Sequence, residues 1–268
     1  IQTIDSFAFY GCKSLKQFVI PTSVTVIGKH SFSKCSSLNC IVIPLSVTSI
    51  EDYAFDECLS LQNISIPSSV TKIGDCSFAG CRSLQDISMQ SSSLNYLGAF
   101  AFYGCSSLRN IPIPSVTIIN NNLLRECTSL VDINIPSTAT KIGYSAFLKC
   151  ISIIEIKIPF SVKIIDSHAF AECSSLIKID IPPSVNWIGN SAFKDCSSLK
   201  EISIPPSVNR IEPYCFDGCS SMSHVLFLSS LNEIECCVFR DCSSLEKICI
   251  PSSVQKIGYS AFSGCRSL

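Results

Sequence analysis

The sequence predicts an α/β repeat solenoid, with a parallel β-sheet on one face and short turns and single helical turns on the other. Three observations carry that reading. Residues 181–203, IPPSVNWIGNSAFKDCSSLKEIS, recur at a step of 23 residues, as IPFSVKIIDSHAFAECSSLIKID upstream and IPPSVNRIEPYCFDGCSSMSHVL downstream. An internal period between about 20 and 50 residues marks a stacked-repeat architecture. Cysteine and phenylalanine each return once per period, and apolar and polar residues alternate within one short piece of each repeat. That alternation is the signature of a strand with one buried face.

Each repeat divides into pieces. In Leu199-Lys200-Glu201-Ile202-Ser203-Ile204, Ile202 and Ile204 alternate with Glu201 and Ser203, which predicts a half-buried strand. Pro205 and Pro206 end it, because a residue without an N–H cannot continue a ladder. Val185-Asn186-Trp187-Ile188-Gly189 predicts a short extended turn on the opposite wall. Its glycine permits a positive φ, although Asp166, Glu212 and Glu235 hold that slot in other repeats. Ser191-Ala192-Phe193-Lys194-Asp195-Cys196 is long enough for one helical turn.

Stacking puts like on like. Phe9, Phe32, Phe55, Phe78, Phe102, Phe147, Phe170, Phe193, Phe216, Phe239 and Phe262 fall in one column, interrupted by Leu124. Cys12, Cys35, Cys58, Cys81, Cys105, Cys127, Cys150, Cys173, Cys196, Cys219, Cys242 and Cys265 fall in a second. The cysteine step is 23 residues except on either side of Cys105, where it is 24 and then 22. The added residue falls within 89–97 and the missing one between Pro114 and Val116, so Cys127 restores the phase. Residues 1–268 read as a single array of about eleven repeats, each contacting only its neighbours. Both ends fall inside a repeat, with Ile1 in the slot of Val185.

Composition excludes several classes. Hydrophobic residues make up 47% of the 268 positions and charged residues 15%, unlike a disordered chain. The net charge is -1 with no basic face, which argues against a nucleic-acid partner. No apolar run is long enough to span a bilayer, so membrane attachment would need an anchor outside this chain. The cysteine column reads as buried free thiols acting as small apolar side chains. A disulfide framework is the rival, but a chain with its own core does not need one, and parallel Cβ vectors suit the bond poorly. No Cys-x-x-Cys pair points to zinc. His30 and His168 share a column but lie roughly 30 Å apart at strand spacing, too far to share a metal, and His224 stands elsewhere. No Gly-x-Ser-x-Gly elbow or phosphate loop occurs, so neither enzyme activity nor a cofactor is expected. Asn63-Ile64-Ser65 is a glycosylation acceptor triplet on the strand face.

The outward strand slots vary while the buried ones repeat. The central column runs Gln17, Cys40, Asn63, Asp86, Asn110, Asp132, Glu155, Lys178, Glu201, His224 and Lys247. The next includes Val19, Val42, Lys157, Asp180 and Leu226. A binding face on a fixed scaffold would vary in this way, and so would any solvated face. Asp86, Asp132, Glu155 and Glu201 form an acidic middle interrupted by Lys157 and Lys178, a mixed stripe that favours a polar protein partner. The candidate binding face is therefore Asp86, Asn110, Asp132, Glu155, Lys157, Lys178, Asp180, Glu201 and His224.

The pattern Ile-Pro-x-Ser-Val-x-x-Ile-Gly-x-x-Ala-Phe-x-x-Cys-x-x-Leu-x-x-Ile is complete in residues 181–202 and nearly so in 66–87. It resembles the BspA-like class of leucine-rich repeats, over essentially the whole chain. The resemblance implies a leucine-rich-repeat solenoid without catalytic residues. It also implies a surface antigen like those of oral bacteria or mucosal protist parasites, closer to the protist members. The partner would be a protein of host cells, matrix or another microbe, and the location the cell surface or the extracellular space. The rival is an intracellular scaffold of the same fold, towards which free thiols lean.

Overall fold

The computed structural model describes residues 1–89 and 93–268. Residues 90–92, within the segment expected to hold the added residue, lie outside the described residues. Packing divides the chain into two compact units, Ile1–Val116 with Asn120–Pro136, and Thr117–Ile119 with Ser137–Leu268.

In the first unit, a first parallel ladder is built from Gln17–Val19 paired with Cys40–Val42, then Asn63–Ile66, Asp86–Met89, Asn110–Ile111 and Asp132–Ile133 paired in turn. A second joins Thr3–Ile4, Val26–Ile27, Ser49–Ile50, Lys72–Ile73 and Tyr96–Leu97. The length changes show directly in the register, where Asp86 pairs with Asn110, Asn110 with Asp132, and Lys72 with Tyr96.

The second unit repeats the plan. Its first ladder comprises Glu155–Lys157 paired with Lys178–Asp180, then Glu201–Ile204, His224–Phe227 and Lys247–Ile248 paired in turn. Its second comprises Ile118–Ile119, Lys141–Ile142, Ile164–Ile165 and Trp187–Ile188, then Glu233–Ile234 and Lys256–Ile257, with Ile211 bridging to Ile234.

The Ile-Pro-x-Ser-Val motif makes the corner between ladders. The Pro182 carbonyl accepts from the Val185 N–H at 3.0 Å, and Pro159–Val162 and Pro205–Val208 repeat the turn. The serine hydroxyl then donates to the preceding rung, from Ser184 to the Val162 carbonyl at 2.8 Å and from Ser46 to the Val24 carbonyl at 2.6 Å. The recurrent serine is a rung-to-rung clamp.

The third wall corrects the expected fold class. No helix is present among the described residues, so the solenoid is all-β rather than α/β. Consecutive β-turns replace the predicted helical turns. Ala192, Lys194 and Cys196 donate to the carbonyls of Gly189, Ser191 and Phe193, three residues back. The N–H groups between them reach the next rung, Ser191 to Pro213, Phe193 to Cys215 and Asp195 to Asp217, at 3.0, 2.9 and 2.7 Å. A helix has a diameter of about 10–12 Å, so helices cannot keep the roughly 4.8 Å pitch of a ladder without the wall splaying as in a horseshoe. Turns can, and the phenylalanine rings behind them repeat at 5.2–5.6 Å in this unit, nearly parallel.

This wall requires left-handed backbone at two places in each rung. Ser191 and Asp195 have φ of 55° and 57°, and His168 and Glu172 repeat this at 57° and 58°. Glycine serves at the second place in Gly11, Gly80, Gly104, Gly218 and Gly264, but other residues fill it elsewhere. The glycine after the second ladder has a different reason from the one expected. Gly189 is not left-handed; a Cβ there would lie 2.4 Å from the Ser167 nitrogen, so the constraint is close approach of rungs. Glu51, Asp166 and Glu235 take that slot in other rungs and are paired by a neighbouring base, Lys72, Lys141 and Arg210, at 2.6, 2.7 and 2.7 Å.

A substitution series tests the left-handed requirement. Glu172→Ile should lower stability by about 1–2 kcal/mol, since a β-branched side chain resists this backbone, whereas Glu172→Gly should stay within about 0.5 kcal/mol. Urea denaturation midpoints measure both. The Lys149–Glu172 contact at 3.9 Å is exposed and contributes little in either case.

Candidate interaction surface

Strand alternation places every predicted face residue outward. Asp86, Asn110 and Asp132 are exposed in the first unit, while Ile87, Ile111 and Ile133 between them are buried. In the second unit Glu155, Lys157, Lys178, Asp180, Glu201 and His224 are exposed over buried Ile156, Ile179, Ile202 and Val225. The register brings Glu155 beside Lys178, Lys157 beside Asp180, and Glu201 beside His224, which neighbours Lys247. The His224 Nδ1 lies 2.8 Å from the Ser223 hydroxyl.

The charges of this ladder differ from those elsewhere. Among the described residues it carries one ion pair, Lys178 with the exposed Asp180 at 3.8 Å. Asp86, Asp132, Glu155 and Glu201 have no cationic partner among the described residues, whereas acids beside the second ladder and on the turn wall are paired repeatedly. A shallow depression of about 170 Å³ in the second unit is lined by Lys178, Asp180, Glu201, Ser203, His224 and Leu226. One of about 220 Å³ in the first unit lies over Asn63, Ser65, Asp86 and Ser88, so Asn63 and Ser65 of the glycosylation triplet face solvent while Ile64 is buried.

The other singled-out residues are structural in their contacts. Cys35, Cys58, Cys81, Cys105, Cys127, Cys150, Cys173, Cys196, Cys219 and Cys242 are buried, Cys265 is half-buried and Cys12 exposed. All are free thiols. The Cys58 Sγ donates to the Phe32 carbonyl at 3.2 Å, and the Cys196 Sγ to the Phe170 carbonyl at 3.1 Å, one rung earlier. Burial pushes the Cys35 thiol up to about 11 and Cys173 up to about 12, and Cys81, Cys105 and Cys219 well above the ordinary range. His30 stacks between Phe7 and Tyr53 at 4.7 and 4.5 Å, and His168 packs edge-on to Tyr144. Among the described residues no group of three His, Cys, Asp or Glu side chains is placed to hold a metal, and no helix is long and apolar enough to cross a membrane.

Two polar groupings escaped the sequence reading. Asp217, 1% exposed on the turn wall, is held by Lys194 at 2.5 Å and by Arg240 Nε and Nη2 at 2.8 and 2.7 Å, from the rungs on either side. A depression of about 430 Å³ on the second ladder is lined by Asn209, Arg210, Asn232, Glu233, Gln255 and Lys256. The 23-residue spacing of those amides was the available signal.

The repeat, with its proline corner and paired ladders, matches the model of the BspA type leucine rich repeat region in six copies, over residues 2–131, 48–176 and 140–268. The chain belongs to the BspA-type leucine-rich repeat family. A leucine-rich repeat protein from Bacteroides ovatus, solved by crystallography, is 26% identical with a TM-score of 0.75, over all of this chain and 69% of that one. A leucine rich cell surface protein from Faecalibacterium prausnitzii is 26% identical with a TM-score of 0.54, over 97% of this chain and 77% of that one. No curated protein matches the chain. BspA-type repeats form a scaffold suited to protein interaction.

Thiol reactivity separates the classes of cysteine in this BspA-type array. Cys12, Cys40 and Cys249 are exposed and should react with Ellman's reagent in the native protein. The buried column should react only on addition of denaturant. Rapid native labelling of Cys81, Cys105 or Cys219, mapped by mass spectrometry, would contradict the packing.

Proposed function

We propose that this chain is a non-enzymatic adhesion module, displayed on a cell surface, that binds a protein of host cells, matrix or another microbe through its first ladder. Residues 1–268 are taken as one repeat array, and Asp86, Asn110, Asp132, Glu155, Lys157, Lys178, Asp180, Glu201 and His224 as its binding residues. The observation that carries the reading is that Asp86, Asp132, Glu155 and Glu201 on the first ladder have no ion pair among the described residues, whereas acids such as Glu51, Asp166 and Asp217 on the other walls do. Exposed charges without an internal partner are free to complement a partner's charges and to steer its approach. The Faecalibacterium prausnitzii relative, a cell surface protein, supports the location. A second reading, an intracellular scaffold, is favoured by one observation: all eighteen cysteines are free, as suits a reducing compartment.

Charge reversal tests the face. Asp86→Lys with Asp132→Lys in the first unit, or Glu155→Lys with Glu201→Lys in the second, should weaken adhesion to host cells or immobilised matrix protein by about tenfold or more. Thermal melting should be unchanged, because these side chains are exposed. Adhesion that survives both pairs rules out the first ladder. Protease shaving of intact cells decides the location, since an intracellular scaffold would be cut only after lysis.

A further inference from the structure

We infer that the second ladder of the unit Thr117–Ile119 with Ser137–Leu268 carries a separate site for a neutral carbohydrate chain, centred on Asn209, Asn232 and Gln255. It is independent of the first ladder and of the adhesion reading. The starting point is a change in one sequence slot. In Thr25, Thr48, Thr71 and Thr140 the hydroxyl in that slot donates to the preceding rung's carbonyl, at 3.1–3.2 Å. From residue 186 onward the slot holds Asn186, Asn209, Asn232 and Gln255, all exposed. The backbone carries the rung contact at both ends of the row, from the Asn186 N–H to the Lys163 carbonyl at 2.9 Å and from the Gln255 N–H to the Asn232 carbonyl at 2.8 Å. The amides themselves have no partner among the described residues. They are therefore not needed for stacking.

The surroundings narrow the ligand. The depression of about 430 Å³ includes Arg210, Glu233 and Lys256, but these charges are already engaged. Arg210 pairs with Glu212 and Glu235 at 3.2 and 2.7 Å, and Lys256 with Glu233 at 3.3 Å. A polyanion needs uncompensated cations, which this site lacks. What it offers is uncharged hydrogen bonding. A carboxamide presents donors and an acceptor together, which suits adjacent sugar hydroxyls. Trp187, 43% exposed, holds the Arg210 slot one rung earlier, and an indole presents the apolar surface that the C–H face of a sugar ring packs against. The amides recur once per rung, about 4.8 Å apart, close to the rise of one sugar in an extended chain. The geometry thus fits an extended oligosaccharide rather than a single sugar.

Trp187 is the sole tryptophan of the chain and lies one rung before the Asn209 end of the depression, so its emission can follow binding there. The protein would be titrated with cellohexaose and chitohexaose, by tryptophan emission and by calorimetry. The expected result is saturable binding of at least one of them, weakened about tenfold, or about 1.4 kcal/mol, by Asn209→Ala with Asn232→Ala. Glu155→Lys with Glu201→Lys should leave it unchanged, which separates failure here from failure of the adhesion face. Absence of heat and emission change with both probes overturns the inference. So does equal binding by the amide variant, or a response confined to heparin and screened out by salt.

Discussion

The structure depends on backbone hydrogen bonding from rung to rung along every wall. Two walls achieve it with parallel strands, and the third with β-turns whose alternate N–H groups, such as those of Ser191, Phe193 and Asp195, point at the next rung. A single 23-residue rung leaves these donors and acceptors unmet, and buried unpaired backbone groups are costly. The rung is stable only as a member of a stack, which is why the pattern recurs so strictly.

The side-chain columns follow from that pitch. Rungs separated by little more than a strand spacing force aromatic rings into parallel contact, as for Phe147 and Phe170 at 5.2 Å. They also place each column thiol within reach of the preceding phenylalanine carbonyl. Cysteine is small enough to fit there and its thiol can donate to that carbonyl, so packing accounts for its place in the column. Left-handed backbone costs roughly 1–2 kcal/mol for each non-glycine residue. The array tolerates it at Ser191 and Asp195 because each is tied into the next rung.

The same pitch sets the electrostatics. Charges on neighbouring rungs meet, so acids such as Asp217 and Asp166 find bases one rung away. On the first ladder Asp180 meets Lys178, but Asp86, Asp132, Glu155 and Glu201 are left to solvent or a partner. That contrast turns a variable column of letters into a candidate surface, and it supports the adhesion reading more than variability alone can.

The sequence by itself determined the period, the first strand ladder, the phenylalanine and cysteine columns and the outward slots from Asp86 to His224, but predicted only an extended turn where Trp187–Ile188 and its counterparts form a second parallel ladder. Burial repeating at a fixed interval is a one-dimensional property, and it survives without coordinates. It also located the compensating length changes around Cys105, which the register of Asp86, Asn110 and Asp132 displays. Only the tertiary structure decided the rest. The sign of φ at Ser191 or Glu172 is invisible in residues that usually avoid the left-handed region, so a helical turn was the natural expectation. The role of Gly189 rests on a clash with Ser167, a residue 22 positions away. The pairing of Asp217 and the free amides of Asn209 and Asn232 depend on which rungs touch. Those are relations between chain segments, set by the stacking distance, and no local pattern encodes them.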